Sequence, residues 1–155
     1  MNHAQFQDWL DGYVDAWKTY DASKIGALFS ADAEYRYHPQ DEPIRGRDEI
    51  VKSWLEGRDE PGTYDATYEV LAIDGDTHVA SGWSRYFEAP GGEMRDEYCN
   101  VYICRFNGVG ECTSFTEYWI QNRAMRRRAM DEMMRKAREE AAAADEAGAV
   151  DEAAA

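Results

Sequence analysis

The 155-residue sequence predicts an α+β fold in which a curved antiparallel sheet wraps a helix, with a helical extension behind it. Three observations carry this. Apolar residues recur at helical spacing before Gly57 and at alternating spacing from Thr63 to Ile120. The alternating segments are separated by short turns rich in Gly, Asp, Asn and Pro, which join strands as hairpins. The last of the 20 aromatic residues is Trp119, which leaves 36 closing residues with none, so the core belongs to roughly the first 120 residues.

Phe6, Trp9, Leu10, Tyr13, Val14 and Trp17 fall on one helical face with Asp8, Asp11, Asp15 and Lys18 between them. Asp21 is placed to cap a second, shorter helix carrying Ile25, Leu28 and Phe29 and ending near Ser30. Glu34 to His38 reads as a strand stopped by Pro39, which pushes its predecessor to extended geometry and cannot feed a central ladder. After the loop QDEPIRG, Asp48 to Glu56 forms a third helix with Ile50, Val51, Trp54 and Leu55 inward and Gly57 as its stop. Four long strands follow: Tyr64–Ile73, Thr77–Glu88, Glu93–Phe106 and Glu111–Ile120, a meander.

If Phe106 faces Glu111 across the last turn, Cys104 faces Thr113, Tyr102 faces Phe115, Asn100 faces Glu117 and Tyr98 faces Trp119. That face is aromatic and polar at once. The other, with Val101, Ile103, Tyr118 and Ile120, is apolar too, so both sides of the sheet need covering. Helices of so small a domain cover one side; a second copy of the chain most simply covers the other, with packing by the C-terminal helix as the alternative.

Residues 1 to 122 carry 10 basic and 23 acidic side chains, a net −13 that argues against nucleic acid and against an anionic membrane surface. No run of 18 apolar residues exists, and the opening MNHAQFQDWL lacks a charged head and apolar stretch, so a cytoplasmic location is expected. Cys99, Cys104 and Cys112 have neither disulfide-framework nor zinc spacing and read as reduced structural thiols. No metal-ligand set, phosphate loop or dinucleotide pattern is present, so neither metal nor cofactor is expected.

The segments GYVDAWKTYDASKIGALFSADAEYRYHP, PIRGRDEI with Trp54, and CRFNGVGECTSFTEYW resemble the nuclear transport factor 2-like superfamily and, within it, the SnoaL-like proteins. The resemblance runs over about residues 4 to 121. It implies a cone-shaped, mixed sheet around the long first helix, a blind pocket between them, and a homodimer through the outer sheet face. It also implies cofactor-free isomerase, cyclase or dehydratase chemistry, or a non-catalytic ligand-binding or protein-interaction member. Aligned with a ketosteroid-isomerase-like member, the oxyanion tyrosine falls on Tyr13, the proton-shuttling aspartate on His38, the second oxyanion donor on Tyr102 and a supporting tyrosine on Trp54. Both catalytic carboxylates of that member are therefore replaced here.

His38 is the expected base, because imidazole exchanges protons near neutrality. Tyr13 and Tyr102, if they converge, donate to a developing oxyanion. Glu117 alternates with Phe115 and Trp119 and points inward, where it needs a partner, either Asn100 or Arg85, and is a second acid/base candidate. Trp54, Trp83, Asn100, Phe115, Trp119 and Tyr35 or Tyr37 are the expected lining, suited to a flat, apolar, polyketide-, terpenoid- or aromatic-like ligand.

Residues 1–121 thus form the predicted domain, and 122–140 differ in kind. Arg123, Arg126, Arg127, Arg128, Arg135, Lys136 and Arg138 flank a stripe of Met125, Met130, Met133 and Met134, a basic amphipathic helix able to dock on acidic surface or on a protein partner. Residues 141–155 contain only Ala, Asp, Glu, Gly and Val and are expected to be helical at best, frayed or disordered.

Overall fold

The computed structural model describes the backbone of residues 1–153 and the side chains of residues 1–142. Helix α1 (His3–Thr19) opens with a capping box, in which Asn2 Oδ1 accepts from Gln5 N while Gln5 Oε1 accepts from Asn2 N. It buries Phe6, Trp9, Leu10, Tyr13 and Ala16 and ends at left-handed Tyr20, whose N–H returns to Ala16. Asp21 caps α2 (Ala22–Leu28) by accepting from Ser23 N and Lys24 N. Phe29, expected in that helix, instead opens β1 (Phe29–Arg36), where it pairs with Cys112 and is fully buried. Burial of a large ring outweighs one more helical residue at a short helix end.

Strand β1 stops at Arg36, so His38 lies in the following loop rather than at a strand end. There the His38 carbonyl accepts from Asp41 N at 3.0 Å. The two-residue β2 (Ile44–Arg45) pairs with β1, a strand too short to leave a periodic signal. Helix α3 (Arg47–Glu56) turns Ile50 and Trp54 inward. Strands β3 (Tyr64–Asp74), β4 (Thr77–Phe87), β5 (Met94–Phe106) and β6 (Cys112–Gln121) form the antiparallel meander. One mixed sheet results, ordered β2-β1-β6-β5-β4-β3, with β1 parallel to β6. This is the expected α+β architecture of a curved open sheet around the first helix.

The last hairpin corrects the expected pairing by two residues. Tyr102 faces Glu117, Asn100 faces Trp119 and Tyr98 faces Gln121, with an irregularity beside the turn at Arg105/Phe106. Because side-chain direction repeats every second residue, a slip of two leaves Asn100, Tyr102, Phe115, Glu117 and Trp119 on the inner face. Two expectations on β4 fail for the same period. His78, Ala80, Gly82 and Ser84 are the buried positions, so the alternating Trp83 stands on the outer face, 40 % exposed, and does not line a pocket. Arg85 also points outward, where its Nε donates to Glu97 at 2.8 Å and cannot be the partner of Glu117.

The core packs α1 into the concave face through Phe6, Trp9, Phe29, Phe106 and Phe115. His78, which gave no sequence signal, is buried edge-on to Phe6 and Phe106, with Nδ1 3.1 Å from Asp76 O and Nε2 3.4 Å from Met1 O. It serves as a satisfied core histidine.

Asn122 onward is a separate unit, α4 (Arg123–Ala153), capped by Asn122 Oδ1 accepting from Ala124 N. Lys136–Glu132 and Arg135–Glu139 pair along it. For the stretch expected to be frayed or disordered, 141–155, the helix backbone runs to Ala153, and the side chains beyond 142 lie outside the described residues. Among the described residues no helix is long and apolar enough to cross a membrane.

Candidate active site

Between α1, α3 and the concave sheet lies a cavity of about 270 Å³. Tyr13, Trp17 and Tyr20 reach it from α1 and its cap, Tyr35 and Tyr37 from β1 and the loop after it, and Trp54 from α3. The sheet contributes Tyr68, Ser84, Tyr86, Tyr102 and Glu117 from four successive strands, and the loop after α3 contributes Gly57 and Asp59. A second chamber of about 200 Å³, lined also by Tyr98, Asn100 and Trp119, shares Tyr37, Ser84, Tyr86 and Glu117 with the first. Glu117 therefore stands on the boundary of both chambers.

Its support is a short relay of fixed groups. Asn100, 2 % exposed, accepts from Ser84 N at 3.2 Å and Ser84 Oγ at 3.0 Å through Oδ1, which orients the amide so that Nδ2 makes a short donation to Glu117. No ion pair to Glu117 exists among the described residues. Burial accordingly pushes the Glu117 carboxyl up to about 7, and only the Asn100 hydrogen bond opposes it. Asn100→Leu is expected to remove that opposition and move the Glu117 titration further above 7. A ¹³C-carboxyl NMR titration of Glu117 checks this, and an unmoved midpoint contradicts it.

The hydroxyls around it behave differently. Tyr13 and Tyr35 are hydrogen-bonded at 2.9 Å, and the Tyr68 and Tyr102 rings pack at 4.4 Å between centroids. In the Tyr13–Tyr35 pair one phenolic proton is used and the other is left to donate elsewhere. Burial raises Tyr13, Tyr35, Tyr68 and Tyr102 above the ordinary phenol value, so all remain protonated at any ordinary pH. Phe115 stacks on Tyr13 at 5.3 Å and on Tyr35 at 4.6 Å between ring centroids. The site thus holds one group that exchanges a proton near neutrality, among donors that do not. At the other end, Asp59 Oδ2 accepts from Trp17 Nε1 at 3.1 Å and Tyr20 Oη at 3.0 Å.

Of the expected site residues, the structure brings Tyr13, Tyr35, Trp54, Tyr102 and Glu117 to the first chamber and Asn100 and Trp119 to the second. It corrects three. Phe115 is fully buried behind the tyrosines and braces them instead of lining the cavity. Trp83 is outside. His38 lines neither chamber; its ring packs on Trp119 at 5.8 Å and its Nδ1 accepts from Gln40 N at 3.4 Å, because the chain has left the sheet two residues earlier. Tyr68, Tyr86 and Ser84 were missed although they alternate with period two on β3 and β4, a legible signal. Asp59 and Tyr20 sit in irregular backbone and left none.

A curved mixed sheet around a long helix, with a tyrosine-walled cavity at their junction, defines the nuclear transport factor 2-like class. Within it, residues 10–108 match the SnoaL-like domain, more than half of the sequence, and the chain belongs to that family. Among solved structures, a Kribbella flavida DSM 17836 protein provisionally described as a ketosteroid isomerase superposes with a TM-score of 0.59 at 20% identity, over 77% of this chain and 81% of that one. That likeness supports the fold. No curated protein sequence matches the chain significantly.

Proposed function

We propose that the protein is a cofactor-independent proton-transfer enzyme of isomerase or lyase type, acting on a small molecule with Glu117 as the acid/base. The observation that carries this is Glu117 itself: a carboxyl without a counter-ion, raised to about 7, facing protonated phenols in a cavity walled mainly by Tyr and Trp. A base is most effective when its pKa lies near the working pH, since both forms are then available to take a proton and return it. Glu117 would remove a proton next to a carbonyl or leaving group. The free phenolic proton of the Tyr13–Tyr35 pair, or the hydroxyl of Tyr68 or Tyr102, would bind the oxygen on which negative charge develops. Return of the proton to another atom completes an isomerisation, and its delivery to a departing hydroxyl completes a dehydration. The base of this reading is Glu117, in place of His38.

The flat probe 5-nitrobenzisoxazole tests it. A base takes its C3 proton, the carbon–nitrogen triple bond forms, the N–O bond breaks, and the electron pair leaves on a phenolate that absorbs visibly. Turnover should rise with pH through an inflection near 7 and fall on the order of a hundredfold or more in Glu117→Gln. Binding without Glu117-dependent turnover would favour a ligand carrier on the same fold.

The outer sheet face presents Trp83, Ile103 and Tyr118, each about 40 % exposed, and we take it as the surface that pairs two copies. Ile103→Lys should then halve the mass measured by light scattering while leaving the circular dichroism spectrum unchanged; a monomeric wild type contradicts the pairing.

A further inference from the structure

We infer that the small molecule held in the main cavity carries a cationic nitrogen, an ammonium or alkylammonium group, seated among the aromatic rings and paired with Glu117. The inference deepens the reading of Glu117 as the reactive group of this cavity and rests on it. The wall supplies nine aromatic rings, all Tyr or Trp, with two carboxylates, Asp59 and Glu117. It contains no Lys, Arg or His, and no Leu, Ile, Val, Met or Phe. An apolar ligand is ordinarily met by aliphatic as well as aromatic surface, and it would leave the Glu117 charge without a counter-ion. Negative ring faces and carboxylates together are instead the chemistry that recognises a desolvated cation.

Two neighbouring contacts fit the same chemistry. Arg58 Cζ lies 5.8 Å from the Tyr20 ring centroid and Arg95 Cζ 5.9 Å from that of Tyr86, so two rings of the wall already take part in cation–π contacts. Neither arginine lines the cavity. One uncompensated donor is also present in the wall: the Trp54 indole N–H is buried and has no acceptor among the described residues. A cation bearing an oxygen atom would supply the missing charge to Glu117 and the missing acceptor to Trp54.

The groups facing Glu117 are Tyr13 from α1, Tyr35 and Tyr37 from β1 and its loop, Tyr68 from β3, Tyr86 from β4 and Tyr102 from β5, none ionised near neutrality. Asp59 shares the cavity. A bound cation therefore meets its new counter-charge at Glu117 as that carboxyl ionises, and binding tightens as pH rises through about 7.

Choline and its neutral carbon isostere, 3,3-dimethylbutan-1-ol, differ only in that charge. Titrated calorimetrically into the full chain at pH 8, choline should bind at least tenfold more tightly. The preference should shrink several-fold at pH 5.5, and equally in Glu117→Gln at pH 8. Equal or tighter binding of the alcohol, or no choline binding up to about 100 mM, overturns the inference. Glu117-dependent turnover of 5-nitrobenzisoxazole with no preference for choline would remove only the cation and leave the proton-transfer reading; loss of both would remove the site.

Discussion

Glu117→Gln is expected to abolish proton transfer and at the same time to make the fold more stable at alkaline pH. The folded carboxyl titrates near 7, against an ordinary value of 4.5. Below about 4.5 it is protonated in both the folded and the unfolded chain and contributes no pH dependence. Between 4.5 and 7 the unfolded chain releases its proton while the fold retains it, so stability falls as pH rises. Above 7 the fold carries the whole cost of a buried, unpaired charge, up to about 3 kcal/mol. Glutamine keeps the acceptor for Asn100 Nδ2 and cannot ionise. Thermal melts should therefore show the variant equal to the wild type at pH 4 and several degrees higher at pH 8. An equal melting temperature at both values would mean that the Glu117 charge is solvated through the cavity, and would remove the basis for its raised pKa. A group whose function costs stability is the behaviour expected of an active site and not of a structural carboxylate.

Gly82→Ala is expected to be the most damaging single methyl group in the sheet. Gly82 is an inner-face position of β4, opposite Tyr68 and Asn100. A Cβ there would lie 2.8 Å from Tyr68 Cα and closer still to Tyr68 Cδ1 and the Thr67 carbonyl oxygen. Two of these are backbone atoms of the paired strand, so a rotamer change alone cannot relieve the clash. The expected cost is about 3 kcal/mol, the upper part of the range for overpacking. Moving Tyr68 also breaks its contact with Tyr102, 4.4 Å between ring centroids. Turnover should then fall in any protein that remains folded. Urea melts measure the first effect, and a midpoint unchanged from wild type would show that β3 gives way freely.

Much of this was legible without coordinates. The stripe Phe6, Trp9, Leu10, Tyr13 is nearly the buried face of α1, because a long amphipathic helix repeats its signal over several turns. The meander is legible for the same reason at period two, and the inward direction of Tyr102, Asn100 and Glu117 is unchanged by the two-residue offset in register because two residues is one full period. Trp83 is the exception. A large apolar residue inside a strand invites an inward reading, but on a sheet with apolar residues on both faces hydrophobicity does not say which face is which. Only the buried neighbours Gly82, which leaves no room beside Tyr68 and Thr67 of β3, and Ser84, bonded to Asn100, decide it.

The chain by itself determined the order of the helices and long strands, the α+β class and the segregation of aromatics before Trp119, because each depends on neighbours along the sequence. Tertiary structure alone decided where the chemistry lies. His38 and Glu117 are both plausible proton carriers as residues. Two residues of strand lost before Pro39 move the histidine out of the cavity, while the pairing of β5 with β6 fixes Asn100 beside the carboxylate. A pKa is set by burial and by partners distant in sequence, and the side chains that raise Glu117 toward neutrality come from α1 and four strands of the sheet.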